Sequence, residues 1–133
     1  MKKRILAAIA AAVVLSGCAP KTSPEMHARH FVYQGMESHD ANLIVDKAGS
    51  VTSLLPTFQQ LYNAGKADRA CGRDAAYAQQ QATALRSQAL AEESTGNFNN
   101  HNGQLFSEKR SPREAAILGD DLAQTYLDGF NGK

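Results

Sequence analysis

The sequence predicts an all-α fold, a small helical bundle of about four helices behind a cleaved N-terminal leader. Three observations predict it. Apolar residues recur three and four positions apart in several stretches, the spacing that places them on one helical face. Two Ser-Pro starts, Ser23-Pro24-Glu25 and Ser111-Pro112-Arg113-Glu114, each combine a cap, a proline suited to the first helical position and an acid that complements the positive end of the helix dipole. The span 66–94 is dominated by Ala, Gln, Arg and Leu, all strong helix formers, with Gly72 as its weak point. A chain of 133 residues allows one such domain.

The leader comes first. Lys2, Lys3 and Arg4 form a positive segment, Ile5 to Leu15 an apolar one, and small residues then lead to Cys18. This is the layout of a secretory signal. The apolar run is too short to span a bilayer, which takes roughly 20 residues. Leu15-Ser16-Gly17-Cys18 departs from an ordinary cleavage site and resembles the lipobox of bacterial lipoproteins. The resemblance implies that the Cys18 thiol is diacylglycerylated and that the chain is cut between Gly17 and Cys18. It implies outer-membrane sorting as well, because Ala19 rather than Asp follows the cysteine. Residues 1–17 are then the signal peptide, 18–23 the lipidated cysteine with a short linker, and 24–133 the helical periplasmic domain. Ala19 to Ser23 reach at most about 17 Å when extended, so the domain sits close to its membrane.

In the mature chain, Ser23 is expected to cap a first helix whose apolar face is Ala28, Phe31, Val32 and Gly35. His27 and His30 lie on this helix at i, i+3, with His39 and Asp40 further on. A His-x-x-His pair with no third ligand at fixed spacing is a weak metal signal. Ser38 to Asn42 reads as a polar break, and Leu43-Ile44-Val45 as an apolar run whose period cannot separate strand from helical turn. A second helix is expected over Thr52–Ala64, with Leu54, Leu55, Phe58, Leu61 and Tyr62 as its stripe. Pro56 belongs in its first turn and Gly65 is placed to close it.

The long candidate over Lys66–Ser94 carries Cys71, Ala75, Ala78, Ala82, Leu85 and Ala89 in alternating steps of three and four. This is a heptad seam of small residues. Its partner is a helix of the same domain or, alternatively, a second copy, which makes the seam from Cys71 to Ala89 the candidate homo-oligomer surface. Thr95 to Gly103 reads as a loop. From Ser111 a capping box starts the last helix, with Ala115, Leu118, Leu122 and Tyr126 on one face. Asp120 and Asp121 diverge around it onto a solvated face, and Gly129 is expected to end it.

Composition excludes several functions. Without the three cations of the leader, the mature chain has 11 basic residues against 13 acidic ones, a balance of −2. It offers no basic patch for nucleic acid or for an anionic membrane surface, so the membrane is reached through lipid. Of the two cysteines, Cys18 is assigned to lipid, which leaves Cys71 alone in an oxidising compartment. A buried thiol on the helix seam is the expected reading, with an intermolecular disulfide as the alternative. No Gly-x-x-x-x-Gly-Lys phosphate loop occurs. No catalytic, cofactor-binding or metal-binding residue is assigned, and no cofactor is expected. A hydrolase or metal protein would need His27, His30 and Cys71 to converge on one pocket.

The later residues carry a second resemblance. Phe58 with Leu61-Tyr62, then Gly65-Lys66-Ala67-Asp68-Arg69, then the Ala/Gln-rich stretch, then an ending Thr-Tyr-Leu-Asp-Gly-Phe-Asn-Gly-Lys, resemble the plasmid entry-exclusion lipoproteins. The Ser-Pro-Glu-x-His-Ala start after the lipobox resembles them too. The motifs are apolar spacing and a Tyr-Leu-Asp-Gly-aromatic ending, and no catalytic residue carries over. The resemblance implies a non-enzymatic, membrane-tethered protein that limits uptake of related plasmids, working through an envelope partner. The alternative is a structural or stress-related outer-membrane lipoprotein without plasmid linkage.

Overall fold

The structure, a computed structural model, describes residues 21–36, 46–91, 95–99 and 105–133. Cys18, Gly17, His39, Asp40 and the run Leu43-Ile44-Val45 lie outside the described residues. The chain folds as a small all-α bundle. Helix α1 (Ser23–His30) continues into a π-helical turn (Phe31–Gly35). It is followed by α2 (Lys47–Ala70), α3 (Ala75–Ala91) and α4 (Pro112–Asn131). A two-stranded antiparallel hairpin stands between α3 and α4, β1 (Thr95–Asn99) paired with β2 (Leu105–Lys109), with Thr95 opposite Lys109 and Asn99 opposite Leu105. The first of these strands replaces the expected loop. Thr, Asn and Phe at the ends and centre of Thr-Gly-Asn-Phe-Asn can extend, and the asparagines and glycines that suggested a turn lie partly within the strand.

Helix α4 is the element on which the other helices pack. It contacts α2 and α3 most extensively, and α1 as well. Two apolar clusters result. One joins Ala78 and Ala82 of α3 to Ala123, Tyr126, Leu127 and Phe130 of α4, with Leu61 and Leu85 at its margin. The other gathers Ala28, Phe31 and Val32 with Val51 and Phe58 of α2, and Ile117, Leu118 and Leu122 of α4 close it. The alanine seam therefore finds its partner inside the domain. Cys71 and Ala75 do not belong to it: both are exposed, because the chain turns before the seam starts.

Several expected boundaries move, each for a visible reason. Thr22, not Ser23, caps α1, accepting from the Glu25 amide. Asp46 caps α2 by accepting from the Gly49 amide at 2.9 Å, so α2 begins well before Thr52. Pro56 consequently sits inside α2 rather than in its first turn. Its exposed position lets water solvate the carbonyl that proline leaves without a donor. The expected helix over 66–94 is divided. Gly72 takes a φ of 79°, which an L side chain rarely adopts, and Asp74 then starts α3 by accepting from the Tyr77 amide at 2.8 Å.

Gly65 and Gly129, expected at helix ends, lie instead inside helices. A Cβ on Gly65 would collide with the Tyr126 carbonyl and lie 2.7 Å from the Phe130 nitrogen, while one on Gly129 would collide with the Tyr62 carbonyl. The backbones of α2 and α4 touch here. Glycine costs each helix about 1 kcal/mol relative to alanine, and the close approach offsets it. The end of α4 is set by Gly132, in the left-handed region at φ 72°, whose amide returns to Gly129. Its start is as expected, with Ser111 accepting from the Glu114 amide at 3.1 Å.

Candidate functional site

A polar cluster joins α1 to α4 where the sequence placed separate, solvated groups. One helical turn separates His27 from His30, and two separate Asp121 from Asp128, so each pair shares a face. Packing α1 on α4 brings the faces together. Nδ1 of His27 lies 3.3 Å from Asp121 and Nε2 lies 3.0 Å from Asp128. His30 Nδ1 is 2.8 Å from the other oxygen of Asp121. The hydroxyl of Ser23 donates to Asp128 at 2.7 Å.

Asp121 is only 5% exposed and is not the surface carboxylate its neighbour Asp120 is. Asp120 keeps the expected solvated face and pairs with Arg86 at 2.7 Å. The buried Thr125 donates to the Asp121 carbonyl, which fixes the helix turn beneath the carboxylate.

Chemistry decides the protonation of His27. A neutral imidazole has a single N–H, and carboxylates only accept. Both ring nitrogens of His27 face carboxylates, so both contacts are hydrogen bonds only in the imidazolium form. The hydrogen bond to Asp121 raises the His27 pKa above its ordinary 6.5; burial pulls it down, and Asp128 adds to the rise. The cluster is a charge-paired clamp.

Elsewhere on α4, burial followed by a 2.7 Å hydrogen bond to Asp68 raises the Tyr126 pKa, so its hydroxyl stays protonated as the donor. Among the described residues no group of three His, Cys, Asp or Glu side chains is disposed to hold a metal ion. Cys71 stands exposed at the α2–α3 turn, and the partners of His27 and His30 are the two aspartates of α4. The three residues that a hydrolase or metal reading requires are not brought together.

Beside the clamp, the start of α1, the middle of α2 and the end of α4 enclose a shallow, mostly apolar groove. Pro24, Met26, Gln59, Tyr62 and Lys133 line it, and Lys21 flanks its mouth. The Tyr62 hydroxyl donates to the Lys133 carbonyl at 2.9 Å and so pins the end of α4 to α2. Among the described residues no helix is long and apolar enough to cross a membrane. The histidines were legible as a pair, and the missed half was the aspartates. The signal available was their spacing of seven, which puts both carboxylates on the helix face that also carries apolar contacts. No family model, curated protein or solved structure matches this chain.

Proposed function

We propose that this protein is a lipid-anchored, non-enzymatic envelope protein of the entry-exclusion type, which limits uptake of related plasmids by binding at the membrane. The observation that carries the reading is the order of the leader: three cations, an apolar run, small residues, then Leu15-Ser16-Gly17-Cys18. A thiol at that position accepts a diacylglyceryl group, and each buried CH₂ contributes about 0.8 kcal/mol, so two or three acyl chains hold the domain permanently. The outer membrane is the proposed site, since Ala19 follows the cysteine. Support for the exclusion role comes from the sequence likeness carried by Phe58, Leu61-Tyr62, Gly65 to Arg69 and the Tyr126-Leu127-Asp128-Gly129-Phe130 ending. In the fold, Tyr62, Gly65, Tyr126, Gly129 and Phe130 form the crossing of α2 with α4, and Asp128 belongs to the clamp on α1.

The test is conjugation into recipients that do or do not produce the protein. A producing recipient accepts a related plasmid less often, and Cys18→Ser abolishes the difference, because an untethered domain loses its high local concentration at the envelope. Equal transfer into producing and empty recipients, at confirmed expression, rejects the exclusion role and leaves the structural or stress-related envelope reading.

A further inference from the structure

The Thr22 cap of helix α1 stands four residues after the cysteine proposed to carry lipid. Only Ala19, Pro20 and Lys21 separate Cys18 from the Thr22 cap. Four residue steps span at most about 14 Å. A tether this short does more than hold the domain near a bilayer, because it restricts which end of the domain can face it.

The end nearest the tether is well defined. Ser23 and His27 hold α1 to Asp128, in the last two turns of α4, and Lys133 meets Tyr62 just beyond. Helix α4 rises about 1.5 Å per residue. Its other end lies about 25 Å away, where Arg113 reaches the Gln34 carbonyl and the β1–β2 hairpin joins.

The tethered end also carries the chemistry that an interface takes. Met26 is 51% exposed at the rim of the groove, an unbranched apolar side chain with no core to fill. Lys21 and Lys133 are both exposed and both line the groove; long cations of this kind can lay their stems on apolar surface while their ammonium groups stay wet. The acid that lines the groove, Asp128, is engaged by Ser23 and His27.

We infer that the groove formed by the start of α1, the middle of α2 and the end of α4 is the face that lies on the bilayer, with Met26 in the interfacial layer and the lysines at the phospholipid headgroups. This rests on the proposed lipid anchor at Cys18 and adds an orientation to it. The hairpin and the amino-terminal end of α4 then point away from the membrane.

The chain has no tryptophan, so a single introduced indole reports its own surroundings. Met26→Trp and Leu90→Trp are made in the full-length protein, extracted from membranes and reconstituted into phosphatidylethanolamine–phosphatidylglycerol vesicles, with and without brominated acyl chains. Leu90 is 58% exposed on α3 next to Ala89, which meets Gly119 in the membrane-distal half of α4. The expected result is blue-shifted emission and strong bromine quenching at position 26, and neither at position 90. Equal quenching at both positions, or at neither in protein that floats with the vesicles, overturns the orientation while leaving the anchor intact. Blue-shifted but unquenched emission at position 26 assigns the groove to a protein occupant and also overturns it. Palmitate labelling of the same preparations scores the anchor separately; protein without label that fails to float rejects both.

Discussion

Two of the junctions that hold α4 in place are built on opposite principles. Where α4 crosses α2, Gly65 and Gly129 let one backbone rest on the other, with the Tyr126–Asp68 hydrogen bond beside them. Where α4 meets α1, an imidazole shared by two carboxylates does the joining. The first junction depends on the absence of atoms at Gly65 and Gly129. The second depends on one proton. A small bundle can thus separate rigidity from responsiveness by giving each to a different helix pair.

The largest effect should come from filling the glycine crossing. Gly129→Val places two methyl groups against the Tyr62 backbone, which cannot move aside as a flexible side chain would, and should destabilise the domain by about 3 kcal/mol in chemical denaturation. Gly65→Ala should cost less, about 1–3 kcal/mol, because a single methyl group is added there. Near-neutral values for both would mean that the helices can part without loss, and the contrast between the junctions would fail.

The clamp should show its proton. His27→Gln removes the charged hydrogen bonds to Asp121 and Asp128 and should cost about 2 kcal/mol on the acidic side. Because the folded-state pKa of His27 is raised, its contribution is complete below the ordinary value of 6.5 and is lost as pH rises through the raised folded value. Wild type should therefore lose its advantage over His27→Gln between mildly acidic and alkaline buffer, as read by denaturant midpoints across that range. A gap that does not change with pH would sink the clamp. Gly129→Val, measured over the same range, should lie a constant distance below wild type.

The smallest effect is expected at Cys71. Its side chain is exposed at the turn, so Cys71→Ala should change stability by less than about 0.5 kcal/mol. A larger loss in the same denaturation assay would place the thiol in packing that neither junction describes.

Much of the bundle was legible because helical spacing and caps are local signals. Ala28, Phe31 and Val32, the Ser111 cap, and the alanines at 78, 82 and 89 all lie where periodicity put them. What was misread shares one cause. Gly65, Gly129 and Pro56 are helix breakers by local propensity, yet all three lie inside helices, because tertiary contact and a stronger cap at Asp46 override a cost of one to three kcal/mol. Asp121 was misread for the same reason in reverse. A lone carboxylate on a helix reads as a surface group, and only the histidines of a helix 91 and 94 residues away in sequence give it a reason to be buried.

The central position of α4 has a consequence for how the domain is made. Synthesis is vectorial, and α4 comes last among the described helices. Before it arrives, α2 and α3 have little to pack on, since each docks chiefly against α4. The residues that close the fold, Asp128 to Lys133, emerge later still, after every surface they join. Before then only the contact of α1 with α2 is available, and the described bundle closes once α4 is present. Removing residues 128–133 would take away the Asp128 contacts, the glycine crossing and the Tyr62 bond together.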